Sequence, residues 1–221
     1  MTGRHSLWAV ALWALAAGGS AADKPARTAL AATSPDALVI MRAPALDADY
    51  GIALSRYDPA TATATDGWER DDRQLSVKAF ARGPDYVYAR MPPGTYVVNG
   101  VTQQRRWLLC YHAATVRFDV AAGQVLYLGS FDAAAALAQL QRAALAARQV
   151  SGGTFQFFTY FDGISPPGFA MPDDIAMANA EAFVHRWLPN VTAPLAAATL
   201  RPATFRSTHH EKGPFNCGRT R

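Results

Sequence analysis

Between residues 38 and 130 the chain is a succession of short segments in which oily side chains recur at every second position, the spacing of a half-buried strand. Residues 38–41 form a continuous apolar run; 51–57 alternates through Ile52 and Leu54, and 75–81 through Leu75, Val77 and Ala79. Similar segments at 86–90, 95–103, 106–112, 115–120 and 124–130 complete a set of eight, and that density of short strands predicts a mainly β protein built as an antiparallel β-sandwich. Val116, Phe118 and Val120 share a face opposite Arg117 and Asp119, so that strand has one side in water. Val125, Leu126, Tyr127 and Leu128 are apolar on both faces, and something must cover the second one.

The turns fit this pattern. Met91-Pro92-Pro93-Gly94 places Pro93 and Gly94 where a type II turn needs a fixed negative φ and then a positive one, which predicts a hairpin. Ala121-Ala122-Gly123 predicts a second hairpin, with Gly123 in the left-handed conformation. After residue 131 the period changes. Asp132 can cap a helix over 133–148 whose Leu137, Leu140, Ala144 and Ala147 form one stripe, a candidate cover for the two-faced strand, and Ser151-Gly152-Gly153 stops it. A second helix begins at Pro172, with Asp173 and Asp174 at the positive end of its dipole and His185 and Arg186 at the negative end. Its stripe is Met177, Ala180, Val184, Trp187 and Leu188, and Pro189 ends it.

The first residues alter the picture of where such a protein works. Arg4 and His5, the apolar run 7–17 and Ser20-Ala21-Ala22 read as a secretory signal peptide over 1–22, cleaved after Ala22. The run is too short for a permanent span, so the expectation is a periplasmic or secreted protein without a transmembrane segment. Residues 23–35, small and polar with two prolines, read as a flexible leader; 36–131 as the sandwich domain; and 132–221 as a helical and tail extension packed on it. The formal charge of +4 comes from scattered basic residues and gives no support for a nucleic-acid partner. Cys110 and Cys217 would both reach an oxidising compartment, where a disulfide between them is expected to tie the tail to the body.

The phrase Tyr88-Ala89-Arg90-Met91-Pro92-Pro93-Gly94-Thr95-Tyr96-Val97-Val98, followed by Phe118-Asp119-Val120-Ala121-Ala122-Gly123-Gln124-Val125-Leu126-Tyr127-Leu128-Gly129, resembles the proline-glycine-x-tyrosine unit of prealbumin-like carboxypeptidase regulatory domains and PEGA-type surface modules. It is also similar to uncharacterised exported proteins of alphaproteobacteria. The resemblance covers about a hundred residues and implies a β-sandwich accessory or binding module, usually without catalysis. It implies no catalytic residues.

Motifs that carry chemistry are scarce. Gly129-Ser130 lacks the second glycine of a nucleophile elbow, and neither His112 nor His185 has a serine or carboxylate placed beside it by spacing. Asp71-Asp72 and Asp173-Asp174 are neighbours rather than carboxyls facing across a cleft, as a glycosidase needs. Cys110 and His112 share a strand face, and with His209, His210 and Cys217 they form a possible set of zinc or copper ligands. The alternative for the same residues is a disulfide with solvated histidines. Trp68, in the long loop 58–73, and the aromatic run Phe155, Phe157, Phe158, Tyr160 and Phe161 are possible ligand-binding residues, or else core filler. The sequence therefore points to an exported, non-catalytic binding or accessory module that needs no cofactor and meets an envelope protein or surface ligand. A periplasmic metal carrier is the alternative, and a hydrolase the next.

Overall fold

The computed structural model describes residues 28–44, 50–64, 73–76, 85–103, 107–111, 114–148, 159–162 and 165–207. The first half of the chain contributes β1 (Ala29–Leu30), β2 (Ala37–Arg42), β3 (Tyr50–Asp58), β4 (Thr63–Ala64), β5 (Arg73–Ser76), β6 (Tyr86–Met91), β7 (Gly94–Gln103) and β8 (Trp107–Cys110). There follow β9 (Thr115–Val120), β10 (Val125–Phe131), α1 (Ala134–Ala146), β11 (Thr159–Asp162), β12 (Phe169–Ala170), α2 (Asp174–Trp187), β13 (Asn190–Val191), β14 (Leu195–Ala197), β15 (Arg201–Ala203) and β16 (Arg206–Ser207). Among the described residues the protein is mainly β with two helices, and each of the eight segments marked in the sequence holds a strand. β5 starts two residues ahead of its predicted place, and residues 77–81 lie outside the described ones.

The strands form a five-stranded sheet, in which β10 lies between β2 and the pair β12 and β14 with β6 beyond β2, and a nine-stranded sheet organised on β7 and β3. β1 and β13 make a separate parallel pair. Antiparallel ladders dominate. Beside them, β10 runs parallel to both β2 and β14, β11 parallel to β8 and β16 parallel to β4.

Both turns thought to close hairpins do something else. β6 ladders with β2 in the five-stranded sheet, whereas β7 ladders with β3, β8 and β9 in the other. The Met91–Gly94 turn is therefore a corner that carries the chain from one sheet to the next. Gly94, at φ +153°, is far from the left-handed value of a type II turn. The turn at Gly123 likewise links β9 in one sheet to β10 in the other, although Gly123 does take the left-handed conformation expected of it, with φ +68°.

Strand alternation sorts the interior into layers. Val39 and Met41 of β2, Leu126 and Leu128 of β10, Ile52 and Leu54 of β3, and Tyr96 and Val98 of β7 join a single apolar cluster shared by the two sheets. Ala136, Leu137, Leu140 and Ala144 of α1 enter the same cluster. Ala147, placed in that stripe by sequence, is exposed. The other face of the five-stranded sheet presents Leu38, Ile40, Tyr86, Tyr88, Val125 and Tyr127, and α2 packs on it through Ala180, Phe183 and Val184, with Leu188 just past its end. So the two-faced β10 is covered by α2; α1 packs against β7, β8 and β11. A third cluster, with Tyr57, Val97, Leu108, Cys110 and Phe205, lies on the other face of the nine-stranded sheet.

Two further expectations change. Of the predicted flexible leader, residues 28–35 are docked: Leu30 is buried, Thr28 Oγ1 lies 3.2 Å from the Tyr88 hydroxyl, and Thr192 N donates to Leu30 O. Residues beyond 132 are more than a helical extension, since β12 and β14 join one large sheet and β11, β15 and β16 the other. The α2 start is set by Asp173, whose carboxylate accepts from Ala176 N at 2.7 Å; Pro172 precedes the cap and is not the first helical residue. Asp132 accepts from Ala134 N at 2.9 Å but stands one residue ahead of the α1 cap position, held by Ala133. Among the described residues no helix is long and apolar enough to cross a membrane.

Candidate functional site

A cleft of about 630 Å³ lies between one flank of α2 and the outer face of the five-stranded sheet, in the size range of small-molecule sites. Strand and helix periodicity explain its lining. Arg42 is two residues beyond Ile40, on the face that meets α2, and the ladders place Tyr86 and Ser130 on either side of it. Ala176, Asn179, Phe183 and Arg186 recur at three- and four-residue steps along α2, adjoining the stripe that is sealed against the sheet. Trp187 closes the C-terminal end of that wall. Met171 and Ile175, from the chain entering α2 and its first turn, form a rim that is 54% and 74% exposed.

The floor carries the unusual chemistry. Tyr86 stacks on Phe183 with ring centroids 4.5 Å apart, and Tyr127 is tilted against Tyr86 at 6.1 Å. Both hydroxyl oxygens are buried and make no hydrogen bond of good geometry, but they face each other closely enough for Tyr127 to act as donor to Tyr86. Were the two to rotate onto each other, the bond would consume one O–H and leave the other without an acceptor, because each phenol has a single proton to give. Burial pushes both phenols above their ordinary value near 10, and Tyr86 adds to the effect on Tyr127, while the Arg42 guanidinium works in the opposite direction on each. At neutral pH both are O–H donors.

The remaining charges are partly committed. Arg42 is ion-paired with Asp85 at 3.4 Å across the sheet end, with about half of its side chain exposed. Arg186 lies over the Trp187 ring at 5.7 Å. Asp173 also lines the cleft; one of its oxygens caps α2, and its charge helps to keep the Tyr127 phenol protonated. The cleft is therefore donor-rich and apolar-walled, and suited to holding a ligand. Ser130 also lines the cleft, and no histidine stands among the described lining residues to activate it.

The residues singled out from the sequence lie elsewhere. Trp68, Phe155, Phe157, Phe158, His112, His209, His210 and Cys217 fall outside the described residues. Tyr160 lies on β11, and Phe161 beside it is half-buried against the main core. Cys110 is fully buried in the third cluster. Among the described residues no group of three or more histidine, cysteine, aspartate or glutamate side chains comes together to hold a metal. No family model, curated protein or solved structure matches the chain.

Sequence reasoning missed Arg42, Tyr86, Tyr127 and Arg186. The strand pattern marks Tyr127 as apolar filler and Tyr86 as a strand start. Nothing in their spacing says that β2 brings the two rings to one floor, or that α2 leaves one of their O–H donors in surplus.

Proposed function

We propose that this chain is an exported, non-catalytic binding module of the bacterial cell envelope, built as a β-sandwich, that takes a small ligand in the cleft between α2 and the five-stranded sheet. The observation that carries the proposal is the pair of buried phenol hydroxyls with at least one surplus donor. An orphaned buried hydroxyl costs on the order of 1–3 kcal/mol, a cost that an acceptor on a bound ligand removes. The sandwich reading is supported by the apolar cluster common to both large sheets and by the two corners that pass the chain between them.

The test is a thermal-shift screen of a small-molecule library on the processed protein, repeated on Ala182→Trp. Ala182 is exposed and lines the cleft, so a bulky ring there occupies the space without entering the core. Compounds that stabilise the native protein and fail on the variant support the proposal. A library with no such compound, or turnover of an ester, glycoside or peptide that a cleft substitution abolishes, rejects it. Export is checked on the same material by N-terminal sequencing, which should begin at Asp23.

The same reading includes a Cys110–Cys217 bridge tying the C-terminal tail across the third cluster. A bridge closing a loop of about a hundred residues contributes on the order of 4–5 kcal/mol in the chain-entropy model. Intact mass should rise by two hydrogens on reduction. A metal-loaded, already reduced protein would favour the carrier instead.

A further inference from the structure

We infer that the occupant of the α2 cleft is a small amphiphile with a carboxylate head, the head seated at Tyr127, Tyr86 and Arg42 and the apolar body laid along Phe183 and Trp187. The inference rests on the cleft being a binding site and goes further by fixing the ligand's chemistry.

Its first support is the imbalance of donors. The floor offers two phenol O–H groups, at least one of them surplus even when the pair bond each other, beside a guanidinium with five N–H groups of which Asp85 engages only part, at 3.4 Å. That distance is longer than a tight charge-assisted bond, so Arg42 retains capacity for a second anion. On the acceptor side the lining has one carboxylate, Asp173, one oxygen of which caps α2, against two guanidiniums, Arg42 and Arg186. A cation would meet Arg42 and Arg186 and leave the surplus phenol donor unmatched. An anionic acceptor satisfies them together, and a carboxylate's two oxygens can take a phenol and the guanidinium at once.

The second support is the wall. Phe183 and Trp187 line one side, and Met171 and Ile175 stand exposed at the mouth. Apolar residues at a rim gain when a hydrocarbon body covers them, on the order of 25 cal/mol per Å² removed from water. The available volume suits a body of small-molecule size.

The experiment compares three probes of equal tail length, decanoate, decan-1-ol and decyltrimethylammonium, titrated into the processed protein by calorimetry. Methyl NMR of Met171 and Ile175 reports where each probe sits. Decanoate should bind saturably at one site and shift both methyls, decanol should bind at least tenfold more weakly, and the cation should not bind. Tyr127→Phe and Arg42→Met should each weaken decanoate about tenfold or more while leaving decanol unchanged, the size expected for a lost hydrogen bond to a charged group. A thermal unfolding scan of each variant establishes that it folds. Equal affinity for decanoate and decanol, or variants that bind decanoate like the parent, would overturn the carboxylate assignment while the methyl shifts still upheld the cleft. No methyl shift with any probe would overturn both.

Discussion

Gly123 sits at φ +68°, and a Cβ built on it would lie 2.0 Å from the carbonyl oxygen of Ala32, a distance no real contact reaches. Gly123→Ala is therefore expected to cost at least about 1–3 kcal/mol in backbone strain alone, read as a lower urea midpoint with an unchanged slope. Tyrosines divide by whether the hydroxyl is matched. Tyr96 donates to Pro92 O at 2.9 Å, so Tyr96→Phe should destabilise by about 1 kcal/mol. Tyr127→Phe removes a hydroxyl whose one neighbour is the Tyr86 phenol and whose geometry there is poor, so the unliganded variant should lose no more than about 1 kcal/mol, which paired melts will show. At this scale the sequence was legible where backbone geometry alone decides, as at Gly123. The fate of a phenol hydroxyl depends on three strands and a helix meeting, and no local pattern carries that information.

α2 joins the fold to the cleft. Phe183→Ala would remove a ring that stacks on Tyr86 and fills the interface with the sheet, and a loss of about 3–5 kcal/mol is expected by denaturant titration. Asp173→Ala deletes the cap alone and should cost about 1 kcal/mol. The strands were readable because alternation reports burial directly, and all eight marked segments hold one. The partners of those strands were not. Proline and glycine at 91–94 and 121–123 announce that the chain changes direction, and a hairpin and a corner between sheets need the same residues. In the same way, the two apolar faces of β10 required a cover, but two helices with comparable stripes were available, and only tertiary contact chose α2.

Across the molecule, several phenols are held neutral by burial. Desolvation pushes Tyr50 up to about 12, helped by the charges of Asp132 and Asp85, and raises Tyr86, Tyr111 and Tyr127 as well. In the unfolded chain these groups lose their protons near pH 10. Above that pH the folded state holds more protons than the unfolded one, so stability must fall as pH rises. The urea midpoint should be insensitive to these groups below about pH 9 and drop steeply above about pH 10, with tyrosinate absorbance at 295 nm rising together with unfolding. A gradual rise without unfolding would mean that the phenols are open to solvent.

The order in which the chain is made bears on its survival. β14, β15 and β16 lie within residues 195–207, yet they pair with strands laid down far earlier, at 125–127, 115–117 and 63–64. Until residues 195–203 are made, β10 and β9 each carry a bare row of amide and carbonyl groups, open to any other extended polypeptide. A product stopped short of residue 190 should consequently form sedimentable aggregates even though every earlier strand is intact, and such a nascent chain would gain from a holdase that shields it until the last turn is threaded home.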